Sequence, residues 1–447
     1  MDLTRKRVTR STIIGLKFLA RFRRPQNKLN IKIRKEDEVM KVLYITTVFP
    51  RAEESSTIYS DFAEKLRDEG HEVTVVMGEG KRKLKETAWF NERGLKVLRV
   101  RIRDYYEVGV FRKGLSLITF KWNLEKAIAK NLQDVSFDVV LFEAPPLTMA
   151  GPVSYATRLF KCPSYLMLKD IFPQNALDLG LMTKYNPFYW WFKLQEIKLY
   201  RTATWLGCMS PANLRYLQKH CPEIPNDKIH ILPNAKKIVW NGERPIDYPM
   251  RRKYGLQEEV VIAIFGGNMG KPQGMDFLMD LLENNQDRTD LFFLMVGRGT
   301  ERVKIRQRIE AKELKNVKLI DALPRDDYER LVMECDIGLI CLDKRFTIPN
   351  FPSRVLTYFE YKMPVLAALD SATDFGKMLD ESRGGEWSLA GDINDFQKKL
   401  NKLVLNPLLR QEMGINGREY LEEHFTVEKA YSIFMSQVRN YKNIESS

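Results

Sequence analysis

A chain of 447 residues is too long for one hydrophobic core and suits two domains of roughly 200 residues each. With 44% hydrophobic and 29% charged residues it is neither disordered nor collagen-like, and no apolar run approaches the roughly 20 residues of a bilayer-crossing helix. The 72 Lys+Arg and 58 Asp+Glu give a formal charge of +14, but residues 1–39 hold 12 basic and 4 acidic side chains, a net +8 that leaves only +6 for the other 408 residues.

The basic excess is therefore local, and it is not interleaved with base-stacking aromatics, which argues against nucleic acid as a partner. Cys162, Cys208, Cys221, Cys335 and Cys341 are odd in number and include no C-x-x-C pair, so neither a disulfide framework nor a zinc site is expected. A reducing cytoplasm fits this usage.

Within residues 1–39, Arg10, Lys17, Arg21 and Arg24 share one helical stripe, with Ile14, Phe18, Leu19 and Phe22 around the rest of the cylinder. This is the pattern of a helix lying on an anionic membrane surface, at the inner face of the cell membrane. Lys17 interrupts the apolar stretch and no small-residue cleavage site follows, against a secretion signal. The alternative is an extension without function ahead of Met40, which itself opens the strand-like MKVLYITTVFP.

From Val42 onward short β-rich runs alternate with helical stretches, the grammar of a parallel sheet covered on both faces. KVLYITTV, EVTVVM, FDVVLFEA, PSYLML, TWLGCMS and KIHILPN are the strands of a first unit, residues 40–235, with SDFAEKLRDEG a helix stopped by Gly70. The Pro-, Gly- and charge-rich KKIVWNGERPIDYPMRRKYGLQEE marks a connection. VVIAIFGG, LFFLMVG, NVKLID, IGLICL and MPVLAAL then build a second unit, residues 236–425. A break at His424 to Thr426 separates a last helix, residues 426–447, that can return to the first unit.

In open parallel sheets ligands bind at the carboxyl ends of the strands. The polar residues there are Glu143, Asp170, Ser210 and Asn234 in the first unit. In the second they are Gly266 to Lys271, Gly297 to Glu301, Asp321 and the loop Lys344 to Arg354. GGNMGKPQG sets Gly266, Gly267, Asn268 and Gly270 between a strand and a helix, where free amides and a helix dipole attract a phosphate and Lys271 adds a full charge. The plainer reading is a tight turn. A helix expected to begin near Ser353 gives that residue as a cap, with its free amides and Arg354 as phosphate ligands.

IFGGNMGKPQGMDFLMDLL, LMVGRGTERVKI, FPSRVLTYFEYKMPVLAAL and GREYLEEHFTVEKAYS, in that order, resemble the C-terminal domain of retaining family 4 glycosyltransferases of the GT-B fold. FPRAEESSTIYSDFAEKLRDEGHEVTVV and LKDIFPQNALDLGLM resemble N-terminal segments of transferases that assemble bacterial surface polysaccharides, such as capsule or O-antigen. The resemblance covers most of residues 41–437. It implies two Rossmann-like α/β domains facing each other across a cleft, and transfer of a hexose or N-acetylhexosamine from a UDP-linked donor to a glycan or lipid-linked acceptor, with retention. It also places Gly297 and Gly299 beside the donor. Two glutamates that many members carry fall here on Pro349 and Thr357, with Glu360 one turn beyond, and a family basic pair falls on Gly267 and Gln273.

A nucleotide sugar is already activated, so the catalyst need only stabilise a leaving diphosphate and an oxocarbenium-like sugar while excluding water. Lys271, Arg354 and helix N-termini suit that task without a glycosidase-type carboxylate pair. No D-x-D ends a strand, so neither a metal nor a cofactor beyond the donor is expected. Asp170 is the first-domain candidate for orienting an acceptor hydroxyl or accepting its proton, against a plain capping role in the turn IFPQN. Lys169 and Asn175 are its neighbours, and Glu143 either meets the acceptor or bonds its own loop. Ser55, Ser56 and Thr57 face the acceptor or cap the next helix. His71, His220, His230 and His424 have no triad partners, and Tyr189, Trp190, Trp191 and Phe192 either face a lipid-linked acceptor or membrane or, mixed with Lys193, Gln195 and Glu196, belong to a partly buried helix, with core the favoured reading. The rival functions are a sugar-nucleotide epimerase or hydrolase of the same fold and a non-catalytic partner subunit.

Overall fold

The computed structural model describes residues 39–54, 56–102, 110–245 and 247–445. The surface helix expected around Arg10 to Arg24, and Ser55, lie outside the described residues.

The first sheet is assembled from β1 (Lys41–Thr46), β2 (Glu72–Gly80), β3 (Ala88–Glu92), β4 (Leu95–Ile102), β5 (Val139–Ala144), β6 (Ser164–Leu168), β7 (Trp205–Cys208) and β8 (Ile229–Ile231), in the order β3-β4-β2-β1-β5-β6-β7-β8. Every neighbouring pair is parallel except β3 with β4. Its helices are α1 (Ile58–Asp68), α2 (Val110–Leu132), α3 (Ala150–Phe160), α4 (Gln174–Asp178), α5 (Pro187–Thr202) and α6 (Pro211–His220). A short α7 (Pro249–Lys253) precedes the second sheet, which is parallel with order β11-β10-β9-β12-β13-β14. Its strands are β9 (Val261–Asn268), β10 (Leu291–Arg298), β11 (Val317–Ile320), β12 (Ile337–Cys341), β13 (Val365–Leu369) and β14 (Gly385–Leu389).

The central strands are continuously apolar because both faces are covered. In β1, Leu43 and Ile45 enter one core and Val42 and Tyr44 the other. In β9, Ile262 and Ile264 face one layer while Ala263 and Phe265 face its opposite. All the sequence-expected strands form. The β3–β4 hairpin and β14 were not among them: basic residues interrupt LKVLRVRI, and GEWSL is a half-exposed edge, so neither shows the plain apolar run of a central strand.

Thr57 caps α1 through a reciprocal pair with Ser60, and Gly70, at φ +90°, turns the chain after it. His71 bridges the Met40 amide and the Tyr431 hydroxyl, a structural role.

The second sheet is flanked by α8 (Met275–Asn284), α9 (Arg302–Ala311), α10 (Arg325–Met333), α11 (Val355–Glu360), α12 (Phe375–Ser382), α13 (Ile393–Leu405) and α14 (Pro407–His424). The last helix, α15 (Val427–Glu445), leaves that layer and packs on the first sheet, where Phe434 meets Phe62 at 5.7 Å and Tyr165 at 4.9 Å.

The chain crosses between the sheets twice, and the two crossings are joined. The Lys236 amide donates to the Phe425 carbonyl at 3.0 Å, and the Val427 amide returns to the Lys236 carbonyl at 3.3 Å. The buried Lys236 ammonium pairs with Glu329 at 3.0 Å and with the fully buried Glu360. Glu360 also accepts the Val239 and Trp240 amides. Removing one partner of a buried pair strands a charge in low dielectric, so Lys236→Ala should cost roughly 3–5 kcal/mol in urea unfolding. A loss below about 1 kcal/mol, the range of an exposed pair, would show the site hydrated.

Candidate functional site

The carboxyl ends of both sheets open on one cleft of ≈ 580 Å³, within the range of small-molecule sites. The first-domain wall starts where β6 ends, at Lys169 and Asp170, and continues through Asn175 and the Ser56 to Asp61 start of α1. Lys169 Nζ donates to Asn234 Oδ1 at 2.8 Å, and Asn234 Nδ2 donates to the Phe351 carbonyl at 3.3 Å, which ties the wall to the opposite domain. Burial pulls the Lys169 ammonium down to about 8, with nearby Glu143 opposing. Asp170 accepts the Ile171 amide at 2.8 Å and Asn175 Nδ2 at 2.7 Å, so it braces its own turn while lining the cleft. Burial lifts its carboxyl to about 6 against those two bonds.

The opposite wall is formed by Gly266, Gly267 and Asn268 at the end of β9, by Gln273, and by the Asn350 to Thr357 segment. Arg354 lies between these pieces. Its Nη2 donates to Gln273 Oε1 at 2.5 Å, its guanidinium stacks over Phe265 at 4.4 Å, and a Cβ added to Gly267 would sit 3.7 Å from Nη2. Nη1 is buried and has no hydrogen-bond partner. A guanidinium with one committed nitrogen and one buried, unpartnered nitrogen beside a cleft has a donor left to satisfy, and an anion has the chemistry to do so.

Several sequence expectations need correction. Gly266 and Gly267 are still in the strand, paired with Val296 and Gly297, rather than in a loop at a helix start; the turn proper is the 3₁₀ segment Lys271–Gln273 ahead of α8. In that turn Lys271 is exposed and lines a neighbouring depression with Lys344 and Glu301, not the cleft with Arg354. Gly270 is buried. Gly297 is buried and Gly299 half-buried, and neither lines the cleft: a Cβ on Gly297 would fall 1.8 Å from the Gly267 carbonyl oxygen, so glycine there permits backbone packing.

Ser353 lines the cleft but its side chain caps nothing, because α11 begins two residues later with Arg354 at the cap position. Thr357 lines the cleft and Pro349 is held to the first domain through Asn213. Glu360 is committed to Lys236 and two amides, so it does not stand in for the absent glutamate. Glu143 is 2% exposed and bonds Thr46 Oγ1 at 2.6 Å and the Thr47 amide at 3.0 Å, out of acceptor reach. Trp190 and Trp191 are exposed rather than core; only Tyr189 of that group is buried, with Phe192 half-buried.

Asp61, Lys236 and Arg325 also line the cleft and were not singled out from sequence. Arg325 reaches the Ser56 carbonyl and hydroxyl and donates to Glu329 at 2.6 Å. Lys236 follows KIHILPN at a strand's carboxyl end, a usable signal; nothing local marks Arg325.

Residues 249–420 match the model "Glycosyl transferases group 1" and residues 56–235 match "Glycosyltransferase Family 4". Two parallel α/β sheets with these two domains define a GT-B glycosyltransferase architecture. Among curated proteins the chain is similar to the probable glycosyltransferase WbjE of Pseudomonas aeruginosa, 22% identical over 248 residues, 55% of this chain and 60% of that protein. The match therefore spans less than two thirds of that relative's length. Similar solved structures are sucrose-phosphate synthase of Thermosynechococcus elongatus (TM-score 0.72, 13% identity, 91% of this chain and 100% of that one) and HepE of Anabaena in complex with UDP-glucose (TM-score 0.65, 15% identity, 90% and 100%). At such identities they establish the fold.

Burial raises the Glu143 carboxyl from its ordinary 4.5 to about 7 against its hydrogen bonds. The folded state thus keeps a proton that the unfolded chain loses. This contribution to stability is complete below about 4.5 and is lost as pH rises to about 7. Glu143→Gln should flatten that part of the stability–pH curve; an unchanged slope would mean that other groups dominate it.

Proposed function

We propose that the chain transfers a sugar, a hexose or N-acetylhexosamine, from a UDP-linked donor to a glycan or lipid-linked acceptor with retention of configuration, in building a cell-surface polysaccharide. The glycosyltransferase domains and the UDP-glucose seen in HepE support the donor class. The single observation that carries the reading is the buried, unpartnered Nη1 of Arg354 beside the Gly267 and Asn268 end of β9.

The donor diphosphate takes that guanidinium donor, and the stacked, partly desolvated charge stabilises the leaving group more than water would. As the bond from the sugar C1 to the diphosphate oxygen breaks, the acceptor hydroxyl oxygen bonds to C1 on the same face. The hydroxyl proton passes to the departing phosphate or to Asp170. Lys169 and Asn175 set the position of Asp170's wall, and no metal is invoked. The absence of a carboxylate at Thr357 and the commitment of Glu360 favour one second reading, a donor-binding or partner subunit without turnover.

A thermal-shift screen with UDP-sugars separates these readings from a dead cleft, because saturating ligand raises the melting temperature. Arg354→Ala should weaken donor binding roughly 10–100-fold, the worth of a charge-assisted hydrogen bond, whereas Lys271→Ala should change it less than about threefold; the reverse ranking would move the diphosphate to the other side of the turn. In transfer assays kcat/KM should fall below pH about 6, as Asp170 takes a proton, and above about 8, as Lys169 loses one. Asp170→Asn should abolish the acid limb. A limb that persists in this variant removes Asp170 from proton transfer.

A further inference from the structure

Helix α5 presents a face that the cleft does not use. Tyr189, Glu196, Leu199 and Tyr200 are buried, while Trp190, Trp191, Leu194, Lys198 and Arg201 are exposed. With 3.6 residues per turn, these five exposed positions share a stripe about 100° wide. Beside this stripe stand Leu181 and Tyr185 ahead of the helix and Phe188 in its first turn, which are 56%, 97% and 67% exposed. A cluster of aromatic and aliphatic side chains of this kind is uncommon on a soluble surface and marks an interaction site.

The cluster is rigidly mounted. Trp190 Nε1 donates to the Lys184 carbonyl at 2.8 Å, which closes the entry loop onto the helix. On the buried side Phe192 packs edge-on against Phe172 at 4.9 Å, and the Tyr189 hydroxyl donates to Gln174 Oε1 at 3.3 Å. Phe172 and Gln174 lie in the turn between Asp170 and Asn175, both of which line the cleft. The face therefore rides on the same piece of backbone as the first-domain wall of the cleft.

Charge decides what covers it. The exposed charged residues between 181 and 202 are Lys184, Lys198 and Arg201, all cationic. The single acid of that stretch, Glu196, is buried and paired with Lys193 at 2.6 Å. A second copy seated on the same face would bring these cations together across an isologous contact. Trp and Tyr beside Lys and Arg, with no exposed acid between residues 181 and 202, match the headgroup layer of an anionic bilayer. We propose that the exposed face of α5, with Leu181, Tyr185 and Phe188, docks on an anionic lipid membrane and holds the Asp170 wall of the cleft close to the headgroups. This goes beyond the transfer reading and does not rest on it, and it is separate from any role of residues 1–39.

The seven tryptophans of the chain all lie after residue 39, so tryptophan quenching by lipid does not report that segment. The full-length chain should bind vesicles of phosphatidylglycerol and phosphatidylcholine, and bromine atoms on their acyl chains should quench its fluorescence. Trp190→Phe with Trp191→Phe should keep sedimentation with vesicles within about threefold yet lose most of the quenching. Phe188→Ser, Trp191→Ser and Leu194→Ser together should weaken vesicle partition by roughly tenfold or more with an unchanged melting temperature. If the triple variant fails to fold, the phenylalanine pair still decides. No vesicle binding, binding without quenching, quenching that survives in the phenylalanine pair, or a lipid-free dimer abolished by the triple substitution would each overturn the proposal.

Discussion

The buried ammonium of Lys236 is the constraint on which the two-domain arrangement depends. It lies where the chain leaves the first sheet, it is neutralised by Glu329 of α10 and Glu360 of α11, and its main chain is bonded to Phe425 and Val427, where the chain comes back. Glu360 in turn fixes the amides of Val239 and Trp240, and Arg418 clasps the carbonyls of Trp240 and Glu360 at 2.7 and 2.9 Å. A charge pair of this kind is a weak source of net stability, but breaking it is expensive. Its effect is to fix both crossings against the wall that carries Arg354. Lys236 itself also lines the cleft, so the device that joins the domains forms part of the wall of the site between them.

The distribution of charge along the site departs from a simple Gly-rich phosphate loop. Positions Gly267 and Gln273 are uncharged, and the arginine comes instead from the start of α11, seated over Phe265 and anchored to Gln273. Position 267 has φ +115°, a backbone conformation that favours glycine, and a Cβ there would only touch the guanidinium at 3.7 Å. Across the cleft, Asp170 and Lys169 are both shifted by burial toward neutrality, the aspartate up and the lysine down, which is where proton-handling groups are commonly found. The carboxyl and the lysine thus come from the end of β6 and the arginine from the start of α11, and they meet only because both sheets point their carboxyl ends at the same space.

Much of the fold was legible in the sequence because central parallel strands are buried on both faces and read as short apolar runs. KVLYITTV and VVIAIFGG are such runs, and both became the inner strands expected. The β3–β4 hairpin was not legible, since LKVLRVRI carries charges whose partners, such as Glu92 for Arg99 at 2.6 Å, are set by tertiary pairing. Asp170, Asn175, Thr357 and Arg354, which the strand-end rule, the expected helix start and the resemblance single out, line the cleft. Lys271 was misplaced because spacing along the chain does not say to which side of a one-turn 3₁₀ segment a side chain falls. Arg325 and Asp61 were missed because they reach the cleft through contacts between domains. The aromatic run at Tyr189 divides between core and surface, with Tyr189 buried and Trp190 and Trp191 exposed, and composition alone does not show that Trp190, Trp191 and Leu194 share one outer face.

The account stands on the open donor of Arg354 being the receptor for a nucleotide diphosphate, and a crystal structure with UDP bound tests this most directly. A phosphate oxygen within about 3.2 Å of Arg354 Nη1, with the Gln273 bond retained, is the predicted result. UDP bound in the depression beside Lys271 and Lys344, with Nη1 still unpartnered, would contradict it.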